Sequence, residues 1–187
     1  MRKLCLLLLA LGAAPMSAQA QAQTATPAPV VAPAPADPAD VGSEDAIMAA
    51  LYDVISGDKG VTRDWARMAS LFHPSARLIP TSRGDTGPAR ARALTVAEYR
   101  VGSSPILEGE GFHEVEIARK TQRFGNIVHV WSTYAGRHSL SDAEPFLRGI
   151  NSIQLLNDGE RFWILSIAWS QETPTNPIPA EYLPAAQ

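Results

Sequence analysis

Two tight turns in the second half of the chain constrain its fold most. Gly125-Asn126 and Asn157-Asp158-Gly159 each divide two long runs in which apolar and polar residues alternate. A period of two belongs to a half-buried strand. A Gly-Asn pair, or a triplet closed by glycine in the left-handed conformation, is the chemistry of a hairpin turn. Residues 112–124 and 127–138 therefore form one hairpin, and residues 146–156 and 161–171 a second. Such a meander needs a layer to cover its apolar face.

The first half supplies that layer. Ser43 caps a helix with Glu44 and Asp45 in its first turn, and Ile47, Leu51, Val54 and Ile55 make one stripe before Gly57 ends it. Thr62 caps a second helix with Trp65, Met68, Ala69 and Phe72 on one face, stopped by Pro74. Residues 76–80 are a short strand. Residues 81–93 are a Gly- and Arg-rich loop or loose hairpin containing Arg83-Gly84-Asp85, a three-letter match that a turn explains. Thr95 and Glu98 form a capping box for a short third helix ending at Gly102. Helices followed by an antiparallel meander make an α+β domain.

The remaining segments are organised around that domain. Arg2 and Lys3, an apolar run over residues 4–14 and Ala18-Gln19-Ala20 make residues 1–20 a signal peptide, which implies a periplasmic or secreted protein. Residues 21–41, rich in Ala and Pro, are a disordered linker. The domain spans residues 42–173, and residues 174–187 are a Pro-rich tail. The one cysteine, Cys5, leaves with the signal peptide, so thiolate catalysis and thiolate metal sites are excluded. A net charge of −3, lowered further by loss of Arg2 and Lys3, excludes a nucleic-acid binder held by electrostatics. No apolar run is long enough to span a bilayer.

Register decides which side chains face the helices. With Phe124 opposite Ile127, His113, Val115, Ile117, Val128, Val130, Ser132 and Tyr134 face inward, while Glu114, Glu116, His129 and Trp131 face outward. Glu114 then falls opposite Arg137. With Ile153 opposite Trp163 and Asn151 opposite Leu165, the inner face continues through Leu147, Gly149, Leu155, Ile167 and Trp169. Four inward polar groups, His113, Ser132, Tyr134 and Asn151, need partners or a ligand. They form either a satisfied core network or the wall of a pocket to which Tyr52, Trp65 and Tyr99 add aromatic surface. Trp131, Ile150, Phe162 and Ile164 leave the outer face apolar, which implies a homodimer packed sheet to sheet.

The pattern resembles the nuclear transport factor 2-like superfamily, and within it the SnoaL-like group. The likeness covers residues 43–182. It lies in Asp64-Trp65, in Leu71-Phe72-His73-Pro74-Ser75-Ala76-Arg77-Leu78, and in Phe124-Gly125-Asn126 leading to Ser132-Thr133-Tyr134. It continues in Arg148-Gly149-Ile150-Asn151-Ser152-Ile153, Trp169, and Asn176-Pro177-Ile178-Pro179 before Tyr182-Leu183. The resemblance implies a cone-shaped curved sheet closed by about three helices around a cavity, frequent dimers, and, where members are enzymes, metal-free isomerases, dehydratases or cyclases.

The residues themselves leave three classes open. Neither a G-x-S-x-G nucleophile nor a phosphate loop occurs, and His73, His113, His129 and His138 lack metal-ligand spacing, so no metal or cofactor is expected. The first class is a binder of a small, partly apolar molecule, with Tyr52, Trp65, Tyr99, Ser132, Asn151 and Trp169 as pocket. The second is an acid/base enzyme with His113 as base and Tyr134 as hydrogen-bond donor. The third is a structural dimerisation module.

Overall fold

The computed structural model describes residues 35–82 and 87–184. The expected signal peptide, most of the linker and the Arg83-Gly84-Asp85 turn lie outside them. Order begins earlier than the composition change suggests. The Asp37 side chain caps a single turn, α1 (Pro38–Val41). Val41 is buried, and Arg67 grips both Asp40 oxygens at 2.8 and 2.9 Å. Residues 38–41, expected within the linker, therefore belong to the domain, because a buried valine and a paired aspartate bind this turn to it.

Ser43 caps α2 (Glu44–Ile55), which buries the expected stripe together with Met48 and Tyr52. Helix α3 (Trp65–Leu71) is capped by Asp64 instead of Thr62. It ends one residue early because Phe72 already starts β1 (Phe72–Ser82), which is longer than the expected strand. Pro74 is tolerated there because the ladder is irregular between Phe72 and Arg77. After β2 (Arg90–Ala91), the Thr95–Glu98 capping box opens α4 (Val96–Glu110). This helix passes through Gly102, Pro105 and Gly109, and Leu107 is its one fully buried residue. Gly102 fails to end it because a helical glycine costs only about 1 kcal/mol. The stop is Gly111, at φ 79°, a conformation that favours glycine.

The meander follows as β3 (His113–Phe124), β4 (Ile127–Arg137), β5 (Leu147–Asn157) and β6 (Phe162–Gln171). The sheet order is β2-β1-β6-β5-β4-β3, with β1 parallel to β6 and every other pair antiparallel. Helices α2 and α3 cover one face, over Val128, Val130, Ile153, Leu155 and Ile164. This is the expected α+β architecture of a curved sheet closed by helices.

Two bulges change the expected faces. Phe124 does pair with Ile127, but the β3 ladder shifts between Glu116 and Ala118, so that Ile117 is an extra residue. In β6 the turn is longer than expected, pairing Asn157 with Phe162, and Leu165 is then the extra residue. Ile153 consequently pairs with Ile167 and Asn151 with Trp169, replacing the expected Trp163 and Leu165. Phe162 and Ile164, expected outside, are core. Trp163 lies on the other face, with the Arg161 guanidinium 3.5 Å above its ring.

The outer face is also less bare than expected. The tail folds over it: the Tyr182 ring lies 5.7 Å from that of Trp131, the Thr133 hydroxyl donates to the Tyr182 carbonyl at 2.6 Å, and Ile178 is buried. The apolar surface that implied a sheet-to-sheet homodimer is correspondingly smaller.

Arg63 joins the helical layer together. It is 4% exposed. Its Nε donates to the Ile55 carbonyl at 2.9 Å, Nη1 to Val61 at 2.5 Å, and Nη2 to Gly57 at 2.6 Å and Leu107 at 2.8 Å. Ile55 ends α2 and Leu107 lies in the last turn of α4, where carbonyls lack intrahelical partners. Arg63→Met keeps the stem and orphans these carbonyls. The expected loss is about 3–5 kcal/mol in urea unfolding. A loss below about 1 kcal/mol would show that water replaces the guanidinium.

Candidate functional site

The β3 bulge decides which acids enter the domain. Beyond Ile117, Glu116 pairs with Tyr134 and Glu114 with Gly136, so both glutamates share the face of Ser132 and Tyr134. By the same shift His113 turns away. Its Nε2 bonds Asp58 at 2.8 Å, on a carboxylate that is largely exposed. The inward placement expected of His113 is therefore corrected: it is not part of the cavity lining, and Glu114, expected on the outer face opposite Arg137, lies in its wall. Arg137 pairs with His113 instead.

The two glutamates meet opposite environments. Glu116 takes both the Nε and Nη2 of Arg119 at 3.0 and 2.5 Å, and Arg119 also reaches Asp45 at 2.6 Å. So paired, Glu116 is an ionised acceptor. The Ser132 hydroxyl donates to it. Having spent its proton, Ser132 accepts from the Tyr52 hydroxyl at 2.6 Å. Tyr52 in turn accepts from Asn151 Nδ2 at 3.2 Å, and the same nitrogen donates to Glu114 Oε1 at 3.2 Å. Hydrogen-bond direction thus runs one way from Asn151 to Glu116. Both amide hydrogens of Asn151 are spent, and its carbonyl oxygen is left as acceptor.

Glu114 forms part of the wall of a cavity of about 160 Å³ between α2, α4 and the sheet. Leu51, Met68, Leu78, Leu107 and Ile167 make much of that wall apolar, and Tyr99, Phe112, Tyr134 and Trp169 make it aromatic. Burial pushes the Glu114 carboxyl up to about 7, against the opposing pull of the Asn151 hydrogen bond. Among the described residues no Lys, Arg or His pairs with it. Tyr134 stands diagonally across the ladder on the same face, and its hydroxyl packs over Gly149, where any Cβ would collide with it. Burial first, then the negative charge of Glu114, raises the Tyr134 phenol above its ordinary value. The same two causes push Tyr99 up to about 12.

Of the residues singled out from sequence, Tyr99, Tyr134, Asn151 and Trp169 line the cavity. Tyr52 and Ser132 stand behind its wall and orient Asn151. Trp65 is buried elsewhere, its indole N–H donating to Glu108 at 2.8 Å. Sequence reasoning missed Glu114 and Gln171, which also lines the cavity. Among the described residues no group of three His, Cys, Asp or Glu is placed to hold a metal ion, and no helix is long and apolar enough to cross a membrane. Chemically, the arrangement offers a carboxyl near neutrality and phenol donors in an apolar enclosure.

No protein-family model matches the sequence, and no curated protein does. The likeness is in structure. A protein of unknown function with a cystatin-like fold from Nostoc punctiforme superposes with a TM-score of 0.52 at 10% identity, over 68% of this chain and 87% of that one. A Kribbella flavida protein gives 0.51 at 9% identity, over 68% and 86%. A nuclear transport factor 2-like protein of unknown function from Shewanella baltica gives 0.43 at 12%, too low to carry an argument. These likenesses show the fold alone, and it is the cystatin-like α+β fold.

Glu114→Gln keeps the side chain's size and removes its charge. Folding raises this carboxyl from 4.5 to about 7. Between those values the native state holds a proton that the unfolded chain has released, so this group's contribution to stability falls as pH rises. Relative to the Gln variant, the wild type is expected to lose roughly 3 kcal/mol from pH 4.5 to 7.5, with the Gln variant the more stable above pH 7. Urea unfolding across that range reads the difference, and a difference independent of pH would refute the raised carboxyl.

Proposed function

We propose that this domain binds a small, partly apolar molecule in the cavity between α2, α4 and the sheet, and that it works outside the cytoplasm once residues 1–20 are removed. The observation that carries the binding reading is Glu114. A carboxyl set among apolar side chains, with one hydrogen bond and no counter-charge, costs folding stability. A purely structural module has no use for it. A binding site does, because a ligand that donates to the carboxyl recovers the lost interaction.

One observation favours a second reading, an acid/base enzyme without cofactor. A carboxyl near 7 takes and returns protons at neutral pH, and the Tyr134 hydroxyl stands on the same face as a donor to a developing oxyanion. In that reading Glu114 takes the place expected of His113.

Native mass spectrometry of the protein recovered from its own cells tests the binding reading. An adduct of one small molecule per chain is expected. A bare protein, combined with an unchanged melting temperature across a panel of small amphiphiles, would sink it. The same spectrum reads whether two copies pair, as the remaining apolar outer face suggests.

A further inference from the structure

Of five other partly buried acids, Glu108 is held by the neutral N–H groups of the Trp65 indole and the Arg63 backbone, and four are held by arginines. Asp40 is held by Arg67 at 2.8 Å, Glu44 by Arg123 at 2.9 Å, Glu116 by Arg119 at 2.5 Å and Glu172 by Arg148 at 2.8 Å. Glu114, like Glu108, has no cation in contact, but of these six acids it is the one that lines the cavity between α2, α4 and the sheet. No Lys, Arg or His lines that cavity. Its single neutral donor, Asn151, leaves an ionised Glu114 without a balancing charge, and a positive group would supply one.

The rest of the wall has the same preference. The Asn151 amide hydrogens are committed to Tyr52 and Glu114, so its carbonyl oxygen is the atom left to offer. The Glu116–Arg119 ion pair enforces that orientation through Ser132 and Tyr52. Four aromatic rings, those of Tyr99, Phe112, Tyr134 and Trp169, border the space, and ring faces attract cations. An anion would meet neutral donors alone, those of Tyr99, Tyr134, Trp169 and Gln171, with Glu114 repelling it. The size also limits the guest. A cavity of about 160 Å³ compares with one of roughly 150 Å³ that holds benzene.

We propose that the ligand class of this cavity is a small organic cation, a protonated amine on an apolar body about the size of a benzene ring. The ammonium donates to Glu114, and the body lies among the four aromatic rings. This inference rests on the binding reading above and names its ligand chemistry.

Four isosteric probes test it: benzylamine, benzyl alcohol, toluene and benzoate, titrated at pH 8 into the protein lacking residues 1–20 and followed by amide chemical shifts and calorimetry. Benzylamine is expected to bind about tenfold or more tightly than the alcohol or toluene, with benzoate undetectable. In Glu114→Gln the ranking is expected to reverse, benzylamine falling below toluene. If the alcohol and toluene match benzylamine in the wild type, or benzylamine still leads in the Gln variant, the cation inference fails while the binding reading stands. If none of the four binds, both fail.

Discussion

The guanidinium of Arg63 occupies the point where the helical layer would otherwise come apart. The last carbonyl of α2, a carbonyl in the last turn of α4 and the turn between α2 and α3 converge on one side chain. Their negative ends would repel one another and lie unsatisfied in a dry interior. One planar cation with five N–H groups resolves the geometry, which a lysine's compact charge cannot. Arg63 also places Trp65 beside it, where the indole and the Arg63 backbone N–H share Glu108 of α4. With α2 and α4 fixed relative to each other, a gap remains between them and the sheet, and that gap is the cavity.

On the sheet side, one extra residue in β3 separates this domain from a plain apolar cone. Without the bulge, Val115 and Ile117 would face inward and both glutamates outward. With it, Val115 is exposed and two carboxylates enter. Their fates differ because Arg119 reaches one and not the other. Glu116 becomes a fixed charge that orients Ser132, Tyr52 and Asn151 in turn, and Glu114 becomes the group at the end of that chain, still open to a partner.

The parts legible in the sequence are those that local chemistry decides. The Ser43 cap, the Thr95–Glu98 box and the Gly125-Asn126 turn are set by neighbours within a few residues. The placement of β1 beside β6 is not, because it depends on how α3 returns the chain to the sheet. The bulges at Ile117 and Leu165 carry no glycine to mark them, and register there is settled by burial summed along whole strands. Glu114 therefore reads as an outward residue from alternation alone. One signal was present. Counted back from the turn, Arg119 falls opposite Ser132 on the inner face, and a cation there needs an acid. Glu116 can supply it only if the strand gains a residue. Arg63, in Val61-Thr62-Arg63-Asp64, has no such signature, since a solvated arginine in a loop has the same neighbours.

The walls of the cavity are not equally firm. The sheet is tied by continuous ladders, and α2 buries seven residues. Helix α4 contributes Tyr99 and Leu107 to the lining, yet it carries two glycines and an internal proline, whose missing N–H breaks its hydrogen-bond ladder. Its last turn is pinned through Leu107 and Glu108 to Arg63 and Trp65, so any local opening falls on the stretch before it, around Gly102 and Pro105. Tyr99 stands on that looser stretch of the lining, whereas Glu114 and Asn151 stand on the sheet.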